Sequence, residues 1–285
     1  MNLLLHPQTK SHVEAFLAKP PHAVILAGPR GAGKSALSSQ LSVKVLKIGA
    51  EKLQNYPYFL RIMPERNSIG IESIRQLQSF LRLKTTGKEF IRRIVIIEDA
   101  QDMTTEAQNA FLKIMEEPPA DTVVILTVTD EKTLLPTVVS RGQIIRVRAP
   151  SLEDIAKPFG SSAKLEKAYY MSGGRMGLLS ALLDDSQDHP LIQDISYAKN
   201  LLRLSPYERV IEVDSLSKDK NKIEGLLAAL ERISHAALLQ AAKTNNVGDI
   251  KRWQRALKQI LESQRALELN AQPKLIVTNM LLNLI

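Results

Sequence analysis

The sequence predicts an α/β fold, with a parallel sheet covered by helices in the first half and helices alone in the second. Three observations predict it. Short Val- and Ile-rich runs alternate with segments of helical periodicity up to Pro150. Those runs are apolar at consecutive positions, which suits strands buried on both faces. Beyond Pro150 the strand signals stop and nearly everything reads as helix.

In chain order, Ala23–Ala27 is the first strand candidate. Gly28 to Ser35 then forms a glycine-rich turn that leads into a helix over Ala36-Leu-Ser-Ser-Gln-Leu41. Ile94–Ile97 and Thr122–Val128 are the next strands. Between them Thr104 or Thr105 caps a helix whose Ala107, Phe111, Ile114 and Met115 share one face, and Pro118-Pro119 ends it. Ser151-Leu-Glu-Asp154 has the form of a capping box that opens the helical half. Gly173-Gly174 and Gly177 punctuate a short helical segment, and Asp184 to Pro190 is polar enough to be a linker. Ile223, Leu226, Leu227 and Leu230, then Ile233, Ala237 and Leu238, continue at helical spacing. The expected division is residues 1–149, 150–188 and 189–285.

A chain of 285 residues, 44% apolar and 24% charged, buries a sizeable core and is not a disordered tail. With 38 Lys and Arg against 30 Asp and Glu, its net charge of +8 suits nucleic acid or nucleotide phosphates, and equally a solvated basic surface. The absence of cysteine excludes disulfides, thiolate zinc sites, Fe–S clusters and cysteine nucleophiles. His6, His12, His22, His189 and His235 show no ligand spacing and read as structural or surface residues. Aromatics at 5% argue against a stacking platform for single strands. No apolar run approaches the ~18 residues of a membrane span. The opening Met1-Asn-Leu-Leu-Leu5 lacks a basic leader and meets His6-Pro7 at once. A soluble, cytoplasmic chain without a membrane partner is therefore expected.

Gly28-Pro-Arg-Gly-Ala-Gly-Lys-Ser35 satisfies G-x-x-x-x-G-K-[ST] in a strand-to-helix setting. Glycines let the backbone curl so that its N–H groups face phosphate oxygens, and the helix that follows adds the positive end of its dipole. Gly28, Arg30, Gly31, Ala32, Gly33, Lys34 and Ser35 are thus the expected nucleotide-binding residues, with Lys34 on the β- and γ-phosphates and Ser35 on Mg²⁺. Glu98-Asp99, ending the strand Ile94–Ile97, is the expected second acidic site, with Glu98 sharing the Mg²⁺ and Asp99 catalytic. Related ATPases commonly have Asp before Glu. The reversed order shifts each carboxylate by about 1.5 Å, and a misplacement of about 1 Å can cost ~10²-fold in rate. Binding is expected to survive better than hydrolysis.

Several stretches together resemble one family: Tyr58-Phe-Leu-Arg-Ile-Met-Pro64, Ile69 to Leu77, Ile94-Val-Ile-Ile-Glu-Asp-Ala-Gln101 and Ala107 to Pro119. With Leu135-Pro-Thr-Val-Val-Ser-Arg-Gly142 and Gln272 to Leu282, they are similar to bacterial DNA polymerase III clamp-loader subunits of the AAA+ class. The resemblance spans nearly the whole chain and is densest from Gly28 to Gly142. It implies an AAA+ P-loop domain (1–149), a small helical lid (150–188) and an all-helical collar for oligomerisation (189–285). It also implies ATP and Mg²⁺ as cofactors. The expected partners are other loader subunits in a hetero-oligomer, of pentamer type, with the sliding clamp and primer-template DNA gripped by its phosphates.

Within the family, Glu98-Asp99 and Gly177, where the gamma/tau motor carries an Arg, resemble the delta prime form; Arg175 sits two residues early. The intact phosphate loop keeps the motor reading open, and a stand-alone AAA+ DNA-remodelling ATPase is the rival of another class. The resemblance makes Arg141 a finger that acts on a neighbouring subunit's nucleotide, and Thr129 a polar sensor near the γ-phosphate. Gly142 replaces the family's usual Cys. Leu37 to Arg93 contains no Cys or His, so the zinc module of many relatives is not expected. Arg75, Arg82, Lys84, Lys88, Arg92 and Arg93 outnumber Glu72 and Glu89 between residues 71 and 95, which reads as a DNA-facing patch or a solvated face. The purified chain is expected to bind ATP and turn it over slowly or not at all; brisk turnover that Lys34→Ala abolishes would contradict this.

Overall fold

A computed structural model describes residues 4–65, 68–184, 190–269 and 271–284. The first three residues of the Met1–Leu5 opening, and residues 185–189 of the expected linker with His189, lie outside the described residues.

The first of two compact units, Met1–Ile155, runs α1 (Pro7–Ala18), β1 (Ala23–Ala27), α2 (Lys34–Leu46), β2 (Phe59–Ile62), α3 (Ile71–Leu81) and β3 (Arg93–Ile97). It continues with α4 (Thr105–Glu116), β4 (Thr122–Val128), α5 (Pro136–Val139) and β5 (Gln143–Arg146). The five strands are all parallel, in the order β2-β3-β4-β1-β5. The three expected strands are β1, β3 and β4, and every residue in them is buried. Successive side chains of a strand point to opposite faces. Val95 and Ile97 accordingly join Phe111 and Met115 on one side of the sheet, while Ile94 and Ile96 join Phe16, Leu37 and Leu41 on the other. Two cores on one sheet account for the uninterrupted apolar runs. The edge strands β2 and β5 carry no such run: Phe59, Leu60 and Arg61 are half-buried, and only Ile145 of β5 is buried.

Thr104 caps α4, its side chain accepting from the Ala107 N–H at 3.2 Å, and Ala107, Phe111, Ile114 and Met115 are all buried. Arg93 departs from the basic-patch reading. It is 2% exposed, and its guanidinium donates to the carbonyls of Leu81 (2.8 Å) and Leu83 beneath the Phe80 ring. It secures the end of α3.

Helix α6 (Leu152–Phe159) opens on the expected capping box: the Asp154 N–H donates to Ser151 Oγ (3.1 Å) and the Ser151 N–H to Asp154 Oδ2 (3.2 Å). The second unit, Ala156–Ile285, continues through α7 (Ala163–Ser172), α8 (Met176–Leu183), α9 (Pro190–Arg203), α10 (Pro206–Ile211) and α11 (Val213–Leu216). It ends with α12 (Lys220–Lys243), α13 (Val247–Glu268) and α14 (Pro273–Asn283). Gly173, at φ +56°, terminates α7, whereas Gly177 lies inside α8. One core joins Met171, Leu178, Ile195, Leu226, Leu230, Ile260 and Met280. No helix of the described residues is long and apolar enough to cross a membrane.

A buried cation ties the ends of this bundle. Arg209 of α10, 3% exposed, donates to the carbonyls of Leu201 (3.0 Å), Leu202 (3.2 Å) and Leu284. Those carbonyls lie at or past helix C-termini, where the intrahelical ladder runs out, and the Leu201 carbonyl also accepts from the Leu204 N–H at 3.2 Å. Arg209→Met is expected to lower stability by about 2–4 kcal/mol through the acceptors it strands; an unchanged urea-unfolding midpoint would refute this.

Candidate nucleotide-binding site

A sheet of parallel strands delivers every strand end to the same edge, where open α/β sheets bind ligands. Here that edge receives Gly28–Ser35 from β1, Glu98-Asp99 from β3 and Thr129 from β4. Because β4 lies between β1 and β3, Thr129 emerges between the loop and the acidic pair.

The loop starts against its neighbours. The Gly28 N–H donates to the Val128 carbonyl at 3.1 Å, and a Cβ at 28 would stand 2.5 Å from the Val147 carbonyl oxygen, so only glycine fits. Gly31 and Gly33 take φ +82° and +87°, a region other residues enter at a cost. Gly33 is the N-cap of α2 and has no side chain to occupy the first turn, whose N–H groups are left for an anion. Lys34 is buried, and its Nζ donates to the carbonyls of Gly28 (2.6 Å) and Pro29 (3.0 Å). Burial pulls its pKa below the ordinary lysine value; Asp99 opposes this and Arg30 reinforces it. Curled backbone, uncapped helix start and buried ammonium together fit a phosphate chain.

Glu98 Oε1 accepts from Ser35 Oγ at 2.6 Å, so the structure brings together the two residues expected around Mg²⁺. A third group shares that oxygen. Arg61 of β2, which lies in the family-like stretch Tyr58–Pro64 but had no role assigned to it, places Nη1 3.3 Å from Glu98 Oε1 and donates from Nη2 to Ser39 Oγ at 2.7 Å. A guanidinium and a dication on one carboxylate oxygen repel each other, so this arrangement does not fit Mg²⁺ sharing Oε1 of Glu98.

Asp99 adopts a left-handed conformation (φ +45°), which Asp tolerates better than Glu. Its N–H donates to Thr127 Oγ1 (3.0 Å) and its Oδ1 accepts from Gln101 Nε2 (3.2 Å). Gln101 Oε1 in turn accepts from the Thr129 N–H at 3.2 Å, which links two expected site residues through one that was not. Asp102 is drawn into the same field. Burial raises its pKa above the usual carboxylate value, Asp99 adds to the rise and Arg30 opposes it. The Glu-Asp order thus puts the longer carboxylate on Ser35 and the shorter one at the left-handed turn.

Arg141 lies apart from this edge. It precedes β5, at the opposite end of the parallel sheet from the loop, where it donates to the Thr137 carbonyl and to Glu116 Oε1, both at 2.9 Å. Beside it, a Cβ on Gly142 would meet Ile25 Cδ1 and Cγ1 at 2.9 Å; Ile25 fills the space a Cys side chain would need. Of the basic set, Arg75 pairs with Glu72, and Arg92 donates to Thr85 and lies 3.5 Å from Asp121. Arg82, Lys84 and Lys88 are exposed.

The family model described as DNA polymerase III, delta subunit matches residues 9–151. The delta′ subunit of DNA polymerase III from Pseudomonas aeruginosa is 31% identical over 179 residues, 55% of this chain and 54% of that protein. Its counterpart from Bacillus subtilis is 33% identical over 137 residues, 44% of this chain and 41% of that one. The chain spans about half the length of these curated relatives. Among solved structures, a DNA polymerase III gamma subunit-related protein from Thermotoga maritima shares the fold, with a TM-score of 0.56 at 22% identity over 96% of this chain and 97% of its own.

Gly142→Ala is expected to cost about 1–3 kcal/mol by overpacking against Ile25. The shift of the urea-unfolding midpoint measures it, and a neutral result would mean that Ile25 yields freely.

Proposed function

Since the chain belongs to the DNA polymerase III, delta subunit family, we propose that it is a delta prime-like clamp-loader subunit that binds ATP at Gly28–Ser35 and supports loading of the sliding clamp on primed DNA. The observation that carries the nucleotide half of this reading is the loop itself, with its obligatory Gly28, the uncapped start of α2 and the buried Lys34. The phosphates of ATP would lie against the loop's backbone N–H groups and the start of α2. Lys34 has carbonyl partners that phosphate oxygens replace, and Gln101 holds Asp99 and Thr129 beside the loop. The chain's own hydrolysis is slow in this reading, because Glu98 is engaged by Ser35 and Arg61, and Asp99 is turned into a left-handed bend and held by Gln101.

The sheet direction supports a trans role for Arg141. A side chain at the opposite edge is remote from its own loop and stands on a face that a neighbouring subunit can approach. In a neighbour's site its charge would stabilise the transferring phosphoryl group, an effect worth about 10³–10⁵ in rate elsewhere. For the helical part we assign residues 150–188 to the lid and 189–285 to the collar. In α14 the core takes Ile276, Val277, Met280 and Leu281, while Leu275 and Leu282 stay exposed. An apolar pair outside the core is what an assembly helix requires. Exposed Arg82, Lys84 and Lys88 provide charge for DNA phosphates.

The test is reconstitution with the other loader subunits, followed by ATPase assays with and without primed DNA and clamp. Co-assembly is expected, and Arg141→Ala should cut the DNA-stimulated rate at least about tenfold while leaving assembly intact. Failure to co-assemble would overturn the subunit reading, and an unchanged rate would remove the finger.

A further inference from the structure

The cation beside Glu98 belongs to the chain. Arg61 lies on β2 opposite Ile96 of β3, and the Glu98 N–H donates to the Ile62 carbonyl at 2.9 Å, so the edge pairing itself brings guanidinium and carboxylate together. The two side chains are only 22% and 15% exposed. The guanidinium is held at three places: Nη1 on Glu98, Nη2 on Ser39 Oγ, and its plane near the Phe59 ring, 5.6 Å from the centroid. Ser39 in turn donates to the Ser35 carbonyl at 2.9 Å, so Arg61 reaches the first turn of α2, where the phosphate loop ends. Its Nε is buried without a hydrogen-bond partner among the described residues. A guanidinium left partly unsatisfied in such a place is held there by the charge it faces.

In a phosphate-loop site a carboxylate at this position repels the incoming phosphates unless a cation lies between them. A dication ordinarily does this. Here Arg61 already stands on the oxygen, with a second anchor on Ser39 of α2. We infer that Arg61 is the built-in counter-cation of Glu98, so that the phosphate loop of this protein binds nucleotide without requiring Mg²⁺. The inference rests on the nucleotide-binding reading of the loop and specifies the metal dependence of that same site.

The experiment is titration of the full chain with ATP, by calorimetry or a fluorescent analogue, in Mg²⁺ and in EDTA. For the unaltered protein the Kd should change by less than about threefold between the two conditions. For Arg61→Gln, which keeps a donor for Ser39 and loses the charge, chelation should weaken binding at least about tenfold. Arg61→Lys should restore part of the tolerance. Loss of binding by the unaltered protein in EDTA, about tenfold or more, overturns the inference whatever the variants do. So does an Arg61→Gln protein that remains indifferent to chelation while its thermal unfolding matches the parent. Absence of ATP binding in both conditions removes the nucleotide-binding reading and this inference with it. Binding that is tight in Mg²⁺ and lost in EDTA removes only the inference.

Discussion

All five strands of the sheet run in one direction, and β4 is inserted between β1 and β3. That constraint decides which side chains meet. Everything that follows a strand lies at one edge, and everything that precedes one lies at the other. The phosphate loop, Glu98, Asp99 and Thr129 follow strands; Arg141 precedes one. The same geometry buries both faces of β1, β3 and β4, so the strands that aim the site are also the most apolar part of the chain.

Within that edge, the charged side chains act on one another. Lys34 is buried against carbonyls and feels Asp99 on one side and Arg30 on the other. Glu98 is met by Arg61 and Ser35, and Asp102 is raised by burial and by Asp99.

The +8 charge distributes itself unevenly in function. Arg93 and Arg209 are buried and bind carbonyls at helix ends, each replacing hydrogen bonds that the helix cannot make for itself. Arg75 and Arg92 have acidic partners. The exposed Arg82, Lys84 and Lys88 remain for an external anion. A count of basic residues therefore overstates the charge offered to a partner, and burial decides by how much.

Motif and periodicity made much of this legible from the residues alone. The central strands announced themselves because a strand buried on both faces must be apolar at every position. The phosphate loop did so because its glycines and lysine follow a strand and open a helix, and α4 did so through its Thr104 cap and its buried face. The edge strands β2 and β5 gave no comparable signal, since an edge needs no continuous apolar run. Arg61 and Gln101 lie in stretches that carry the family resemblance, yet their roles could not be read there, because they arise from neighbours that only the fold brings close. Arg61 meets Glu98 only because β2 pairs with β3 in one register, and Gln101 joins Asp99 to Thr129 only because β4 lies beside β3. Local chemistry is written along the chain, whereas the partner of each charge is set by strand order and register, which exist only once the sheet has formed.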